Sequence, residues 1–530
     1  MYLCGGGILM KLNNIYNFKN PIKHFLDIDR LAYPSDIETF DVDSLCWTEP
    51  VKFRLRKDED KYRTLKMPNI LSFVRAYHYY KGMPNFTDIQ SIDYKHKRLS
   101  ANIDTGDFKS GEYDSQLNED FERLCIYDHL LRLDIKEYYG RIYTHNLKLA
   151  ENGYKDNVLS GLNLGQTNGL LMGNYLSLYF AESMLHDICK LIEKYINDEN
   201  INCDFMYFSD DFYFFCNKYD TERLVKCFDK SLEKYEFERN ESKKDIFTYE
   251  DYNKYNILTR YWKRVVGHCN IEALKDYEKE NKHKCIIKHK LAFLNQLIYR
   301  MSNLADDKLK RIFINNFFKT KYFRELDLNK FQTKFYDYHQ LCFLLKFSPE
   351  ALLYSADKFA VMNDFDNNKV LTFFATRYSE ILKEPFNEEQ LYYYYALKQF
   401  CFEDIIKDNK NAVLKTDNQV LISYYLKDGY FDEDDISRLK EKTSEQFWFQ
   451  NYHLILFTPE LKNDLENNIT KYLIPTNAKK PVKINLFMNF YKDNLNENKE
   501  LINDIESVKE KIVEYLELRA EETLLDYEEE

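Results

Sequence analysis

Phe205-Met-Tyr-Phe-Ser-Asp-Asp-Phe-Tyr-Phe-Phe215 is the stretch on which the fold of this 530-residue chain turns. Aromatic, β-favouring residues flank a polar Ser209-Asp210-Asp211, which predicts strand, tight turn, strand, with both carboxylates at the tip. Paired acids on a rigid hairpin suit a two-metal phosphoryl-transfer site, where Mg2+ ions about 4 Å apart bind the attacking and the leaving oxygen. Mg2+ needs only one or two protein carboxylates beside the substrate phosphates. Taken alone, a solvated hairpin tip is the commoner meaning of such a pair.

Two further segments change the balance. In Leu131-Arg-Leu-Asp134 an acid ends a short apolar strand and precedes a helix-like aromatic stretch that runs to His145. Between the acids, Gly165-Gln-Thr-Asn-Gly-Leu-Leu-Met-Gly-Asn174 is a glycine-punctuated loop that leads into an amphipathic helix. Glycines there let backbone approach a ligand closely. This order resembles motifs A, B and C of the reverse transcriptases, and more narrowly the bacterial abortive-infection (Abi) and defence-associated reverse transcriptases. Ile142-Tyr-Thr-His145 and Gln166-Thr-Asn-Gly169 are similar to that subgroup, and the resemblance covers about residues 50–265.

The resemblance implies an α+β fold with right-hand polymerase fingers (49–125) and palm (126–270). A 1–48 extension would precede them, and an all-α C-terminal domain (271–530) with HEAT-like or thumb-like stacking would follow. It implies Asp134, Asp210 and Asp211 as ligands of two Mg2+ ions, Asp211 as the auxiliary acid. Three acids repel one another without a cation, and bound Mg2+ removes that penalty. Asn240-Glu-Ser-Lys-Lys244 is similar to motif D, which makes Lys243 a candidate proton donor to pyrophosphate; a solvated charge run is the alternative. Arg63 and Lys66 are candidate triphosphate contacts. Tyr139 stands at the steric-gate position, where a ring crowds a ribose 2′-hydroxyl and favours deoxynucleotides, unless it is simply a core tyrosine. Ile135, Gln166, Gly173 and Asn174 complete the substrate-binding set. Phe208 replaces the usual tyrosine, and Leu171 the usual proline of motif B, which leaves template handling open. Tyr261-Trp-Lys-Arg264 falls where a primer grip would lie.

The implied activity is DNA synthesis from dNTPs in antiphage defence (abortive infection), untemplated, with a single-stranded DNA product attached to a protein tyrosine. The alternatives are a reverse transcriptase templated by a cellular or non-coding RNA, and a catalytically inactive nucleic-acid-binding scaffold. A scaffold has no need of all three acids. The chain has 44 tyrosines, so the sequence singles out no priming residue.

Length and composition fit a globular protein of two or three domains, with charged residues at 31% and apolar ones at 44%. No apolar run reaches the ~20 residues of a membrane span. Met1–Met10 lacks the basic leader and cleavage site of a signal peptide. The 11 cysteines include no Cys-x-x-Cys pair and no His/Cys cluster at zinc spacing, so a reduced cytoplasm is expected. Residues 301–530 carry 31 basic and 41 acidic side chains, which places −10 of the −12 net charge in that half. Basic islands lie upstream, at Lys52–Lys57, Arg63–Lys66, Lys95–Arg98 and Arg260–Arg264. Interleaved with aromatics they suit a groove that follows a phosphate backbone, although a solvated surface is the commoner meaning of any one island alone. Ile70–Tyr80 and segments near 308–319, 364–382 and 502–522 have helical spacing. Residues 100–120 read as a loop. The glycine-poor C-terminal half is expected to be helical and, with the resemblance, to support a homo-oligomer.

Overall fold

The computed structural model describes residues 11–17, 22–35, 37–39, 41, 44–57, 61–99, 112–256, 292–304, 307–320, 323–324, 335–361 and 367–528. The Met1–Met10 segment and the Tyr261–Arg264 primer-grip candidate, with the rest of the Arg260–Arg264 island, lie outside them. The protein is α+β, with a small antiparallel sheet and a helical C-terminal part. Strands β1 (Val51–Arg56) and β2 (Tyr62–Met67) pair with each other. Strands β3 (His129–Asp134), β4 (Cys203–Phe208), β5 (Asp211–Cys216) and β6 (Asp245–Phe247) form one sheet in the order β4-β5-β3-β6. The helices of the first half are α1 (Leu12–Tyr16), α2 (Ile70–Tyr80), α3 (Glu112–Ile126), α4 (Tyr138–Arg141), α5 (Asn157–Gly161), α6 (Tyr175–Asp198) and α7 (Thr221–Glu233).

The chain divides into two compact units. One holds Met1–Phe53, Thr64–Tyr252 and Glu433–Asn503; the other holds Arg54–Arg63, Asn253–Asp432 and Asp504–Glu530. The first unit is built on the four-stranded sheet. Alternation sends Phe212, Phe214 and Cys216 of β5 to one face and Asp211, Tyr213 and Phe215 to the other. Phe228 of α7 covers the first face, its ring 5.0 Å from that of Phe212 and 6.0 Å from that of Phe214. On the second face Leu117, Phe121 and Leu124 of α3 pack with Leu130, Met206, Phe215 and Tyr252. That helix corrects the loop expected over residues 100–120 from Glu112 onward; residues 100–111 lie outside the described ones. The stretch is polar in bulk, but Leu117, Phe121 and Leu124 recur at helical spacing and line one side.

The chain also divides elsewhere than at the expected boundaries. Residues 433–503 join the first unit, and the N-terminal segment is tied to them. Leu26 bridges Ile502, and Asn503 Nδ2 donates to the carbonyls of His24 (2.9 Å) and Leu26 (3.1 Å). Asn494 exchanges two hydrogen bonds with the Ala32 backbone, at 2.7 and 2.9 Å.

In the second unit, Asp307–Phe318, Asn367–Ile381 and Ile505–Glu528 form helices close to the expected segments. The helix Asn387–Gln399 is buried on every side, including four consecutive tyrosines, Tyr392 to Tyr395. Its polar first turn is buried too and is held by partners, Asn418 on Asn387 and Gln390 and Arg56 on Glu389. Tyr394 donates to Asp428 Oδ2 at 2.6 Å. Residues 54–63, the outer end of the β1–β2 hairpin, belong to this unit. Arg56 grips Glu389 with both ends of its guanidinium (2.6 and 2.8 Å), reaches Glu384 at 2.8 Å and covers the Phe386 ring. Among the described residues, no helix is long and apolar enough to cross a membrane.

Candidate active site

Antiparallel register sets Asp134, the last residue of β3, directly opposite Asp211, the first of β5. Side chains so placed have Cβ atoms about 5 Å apart, where like charges destabilise a sheet. Asp210 lies in the two-residue connection from β4 to β5, after Ser209 at φ +55°. The Asp210 carbonyl accepts the Ile135 amide at 3.0 Å, which ties the turn to the end of β3. The sequence-derived acids are therefore neighbours through backbone register.

Asp134 is 2% exposed, yet its carboxylate is fully engaged. Oδ1 accepts Asn240 Nδ2 at 2.8 Å, Oδ2 pairs with the Lys243 ammonium, and the Asp134 carbonyl accepts the Asn240 amide at 2.7 Å. Burial foremost, then the Asp210 and Asp134 charges, push the Asp211 carboxyl up to about 6, against the pull of Lys243 and Arg132. Burial also works against the Lys243 charge, but its bond to Asp134 and the surrounding carboxylates outweigh it and hold its pKa above the usual lysine value. Three acids thus share one lysine, since the Arg132 guanidinium is already paired with Asp245 at 2.6 Å. Oxygen donors with excess negative charge fit a hard divalent cation. The three aspartates do not close into a tight cage in this arrangement. Among the described residues, the set of three acid, His or Cys ligand atoms within 4.8 Å of one another is a different one, Asp93, His96 and Cys189.

The glycine-rich loop lies along the segment after β3. Thr144 N donates to Thr167 O (2.9 Å), Gly169 N to Ile142 O (2.9 Å) and Leu170 N to Tyr139 O (2.8 Å). Gly169 has φ +90°, and a Cβ there would sit 3.1 Å from the Gly140 carbonyl oxygen, so this approach requires glycine. Tyr138, the neighbour of Tyr139, is buried and donates to Ala181 O at 2.6 Å. Tyr139 itself is half-buried. At the far end of the loop Lys66 N donates to Met172 O at 3.3 Å and Lys66 Nζ to Asn163 Oδ1 at 3.4 Å. Asn163 in turn donates to Gln166 Oε1 at 3.3 Å. Burial, then the charge of Lys52, lowers the Lys66 pKa. Gly173, at φ +111°, faces Leu65 of the same strand. The fold therefore brings Lys66, Gln166 and Gly173 together.

Three other substrate candidates read differently in the structure. Asn174 is buried and caps α6: its Oδ1 accepts Ser177 N at 3.0 Å and its Nδ2 donates to Leu171 O at 2.7 Å, so its amide is spent on the helix terminus. The Ile135 side chain is fully buried and only its backbone faces the turn. Arg63 belongs to the second unit, where it is exposed.

Ion pairs take up much of two basic islands, although Lys52 and Lys57 are exposed and the Lys95 side chain is 67% exposed. In Lys95–Arg98, Lys95 pairs with Glu193, Lys97 with Glu182 at 2.9 Å, and Arg98 with Asp120, while His96 is buried. In Lys52–Lys57, Arg54 pairs with Asp417 and Arg56 with Glu384 and Glu389. Lys97 and Arg98, with side chains buried against their partners, are unavailable to a phosphate backbone. Sequence reasoning noted the Asn240 run but missed Asn240 itself, which anchors Asp134. It also missed the local pairs Asp93-x-x-His96 and His186-x-x-Cys189, whose i, i+3 spacing was the available signal. No protein-family model and no curated protein matches the chain.

Proposed function

We propose that this protein is a nucleotidyltransferase of the reverse-transcriptase type, which extends DNA from dNTPs in antiphage defence, without a template and from a protein tyrosine. The observation that carries the reading is the pair Asp134–Asp211, opposed across adjacent strands with Asp210 in the next turn. Opposed carboxylates weaken a sheet, so structural need does not account for them, whereas phosphoryl transfer does. In this reading the four-stranded sheet with α3, α6 and α7 is the palm.

Asp134, Asp210 and Asp211 would hold Mg2+, which when bound supplies neutralisation of charge on the phosphate oxygens. The remaining work falls to the chain. A hydroxyl oxygen, first of a tyrosine and then of the growing 3′ end, gives its proton to solvent and bonds to the α-phosphorus as the bond to pyrophosphate breaks. Lys243, once parted from Asp134, gives its proton to that leaving group. Lys66, Gln166 and Gly173 border the incoming nucleotide, and the Tyr139 ring crowds any 2′-hydroxyl.

The test is incubation of the purified chain with Mg2+ and labelled dNTPs, with and without added RNA, followed by nuclease or protease. Label that stays with the protein in the absence of RNA supports the proposal, and Asp134→Ala should abolish it with the circular dichroism unchanged. Label incorporated only with RNA selects the templated enzyme. No incorporation under either condition removes the polymerase reading.

A further inference from the structure

A second cluster of ligating side chains lies in the first unit, between the turn Asp93-Tyr-Lys-His96 and α6. His186, Cys189 and Glu193 follow one another at i, i+3 and i+7, so one face of α6 presents all three. Asp93 and His96 side chains are 3% and 7% exposed, and Cys189 is fully buried. Asp93 Oδ1 lies 2.7 Å from His96 Nδ1, and Asp93, His96 and Cys189 ligand atoms all fall within 4.8 Å of one another. His186 stands beside that set rather than within it, its Nδ1 facing the other Asp93 oxygen, Oδ2, at 3.4 Å. Both atoms are buried, and neither meets hydrogen-bond geometry with any partner. Asp93 also holds φ +55°, a conformation that non-glycine residues seldom adopt.

The donors are one carboxylate oxygen, two imidazole nitrogens and one sulfur. Four-coordinate zinc takes such a set, and a thiolate in it disfavours Mg2+ and Ca2+. The outward nitrogen of His96, Nε2, lies 3.2 Å from Glu193 Oε1. A carboxylate in that place orients a ligating imidazole and raises its basicity. The His96 ring is further fixed by stacking on Phe205, with centroids 4.5 Å apart. Without a cation, burial and then the Asp93 charge push the Cys189 thiol well above its usual pKa. We propose that Asp93, His96, His186 and Cys189 form a structural site for zinc or a similar borderline-soft divalent cation, with Glu193 as the positioning residue for His96.

Binding releases the Cys189 proton to solvent. It would also brace the aspartate hairpin from behind. Tyr207 N donates to His96 O, and Arg98 N to Tyr207 O, both at 2.8 Å, and Tyr207 lies three residues before Asp210. The site is independent of the proposed activity.

The full-length chain, purified from zinc-supplemented cells and desalted, is assayed for metal by mass spectrometry. About one zinc per chain is expected, as for a closed four-ligand site. Cys189→Ser and His96→Gln should lose it, and Asp134→Asn should keep it. Glu193→Gln should weaken zinc affinity about tenfold, as loss of an orienting partner does. The metal-free chain titrated with Co2+ should show thiolate-to-cobalt charge-transfer absorption that vanishes in Cys189→Ser. If that variant does not fold, zinc loss in His186→Gln, which removes a half-exposed ligand, serves in its place. A folded wild-type chain with neither zinc nor the cobalt absorption overturns the proposal and leaves a hydrogen-bonded polar cluster. Zinc content unchanged in all the ligand variants overturns it equally.

Discussion

Replacing Arg98 with methionine distinguishes an internal ion pair from a nucleic-acid contact in the Lys95–Arg98 run. The Arg98 and Asp120 side chains are 3% and 0% exposed, the guanidinium lies 4.2 Å from the Tyr213 ring centroid, and Tyr252 donates to Asp120 Oδ2 at 2.7 Å. Methionine keeps much of the apolar stem and removes the charge. Breaking such a buried pair from one side costs about 3–5 kcal/mol, because the other charge is left uncompensated. At roughly 2 °C per kcal/mol for a unit of this size, Tm should fall by about 6–10 °C. The loss should also depend on pH. Burial pushes the Asp120 carboxyl up even against the pull of Arg98 and Tyr252, and without Arg98 it rises further. A folded-state carboxyl above its unfolded value of about 3.9 favours the folded state at low pH, and that advantage fades as pH rises toward the folded pKa. The gap between wild type and variant should therefore widen from pH 5 to pH 8 in thermal melts followed by near-ultraviolet circular dichroism. Adding Asp120→Leu should restore most of the stability, since an apolar pair can replace a buried ionic one. A Tm loss under about 2 °C, alongside a reduced salt dependence of nucleic-acid binding, would refute the buried-pair account.

Tyr139→Ala should raise the ratio of ribonucleotide to deoxynucleotide incorporation while activity persists; an unchanged ratio in competition assays places sugar selection elsewhere. Asn174→Ala should cost about 1 kcal/mol through the lost α6 cap, read as a lower denaturation midpoint, and leave that ratio alone. His78 on α2 is held down to about 4, by burial first and then by Lys81. Its unfolded form binds a proton more readily, so the first unit should lose stability as pH falls from about 6.5 toward 4. His78→Asn should flatten that part of the stability profile, and a profile identical to wild type rejects the assignment.

Local pattern reached far in this chain. Ile70–Tyr80 forms the helix that its spacing predicts, and the Phe205–Phe215 run forms a hairpin with the acids at its tip. Asp134 was legible because a strand end followed by an aromatic turn is a local signal. What it faces was not. Its opposition to Asp211 depends on register, and its hold by Asn240 and Lys243 on a segment more than a hundred residues away. Two of the basic islands hid their pairing for the same reason, because Glu193, Asp120, Glu389 and Asp417 lie outside the runs and only folding brings them to the arginines and lysines. Asn174 misled because a cap and a ligand contact call for the same amide, and only the Ser177 amide decides between them. The division of the helical half was invisible because residues 433–503 share their helical character with the second unit on both sides of them.

The antiparallel bridge between Leu26 and Ile502 also sets a clock on synthesis. At about 5–20 residues per second, a ribosome needs roughly 25–95 s between making these two partners. Through that interval the N-terminal segment lacks the strand partner and the Asn494 and Asn503 side chains that hold it in the finished unit. Nascent chains therefore pass through that window with the Phe25 and Asp27 backbone lacking the Asn503 and Leu501 partners of the finished unit.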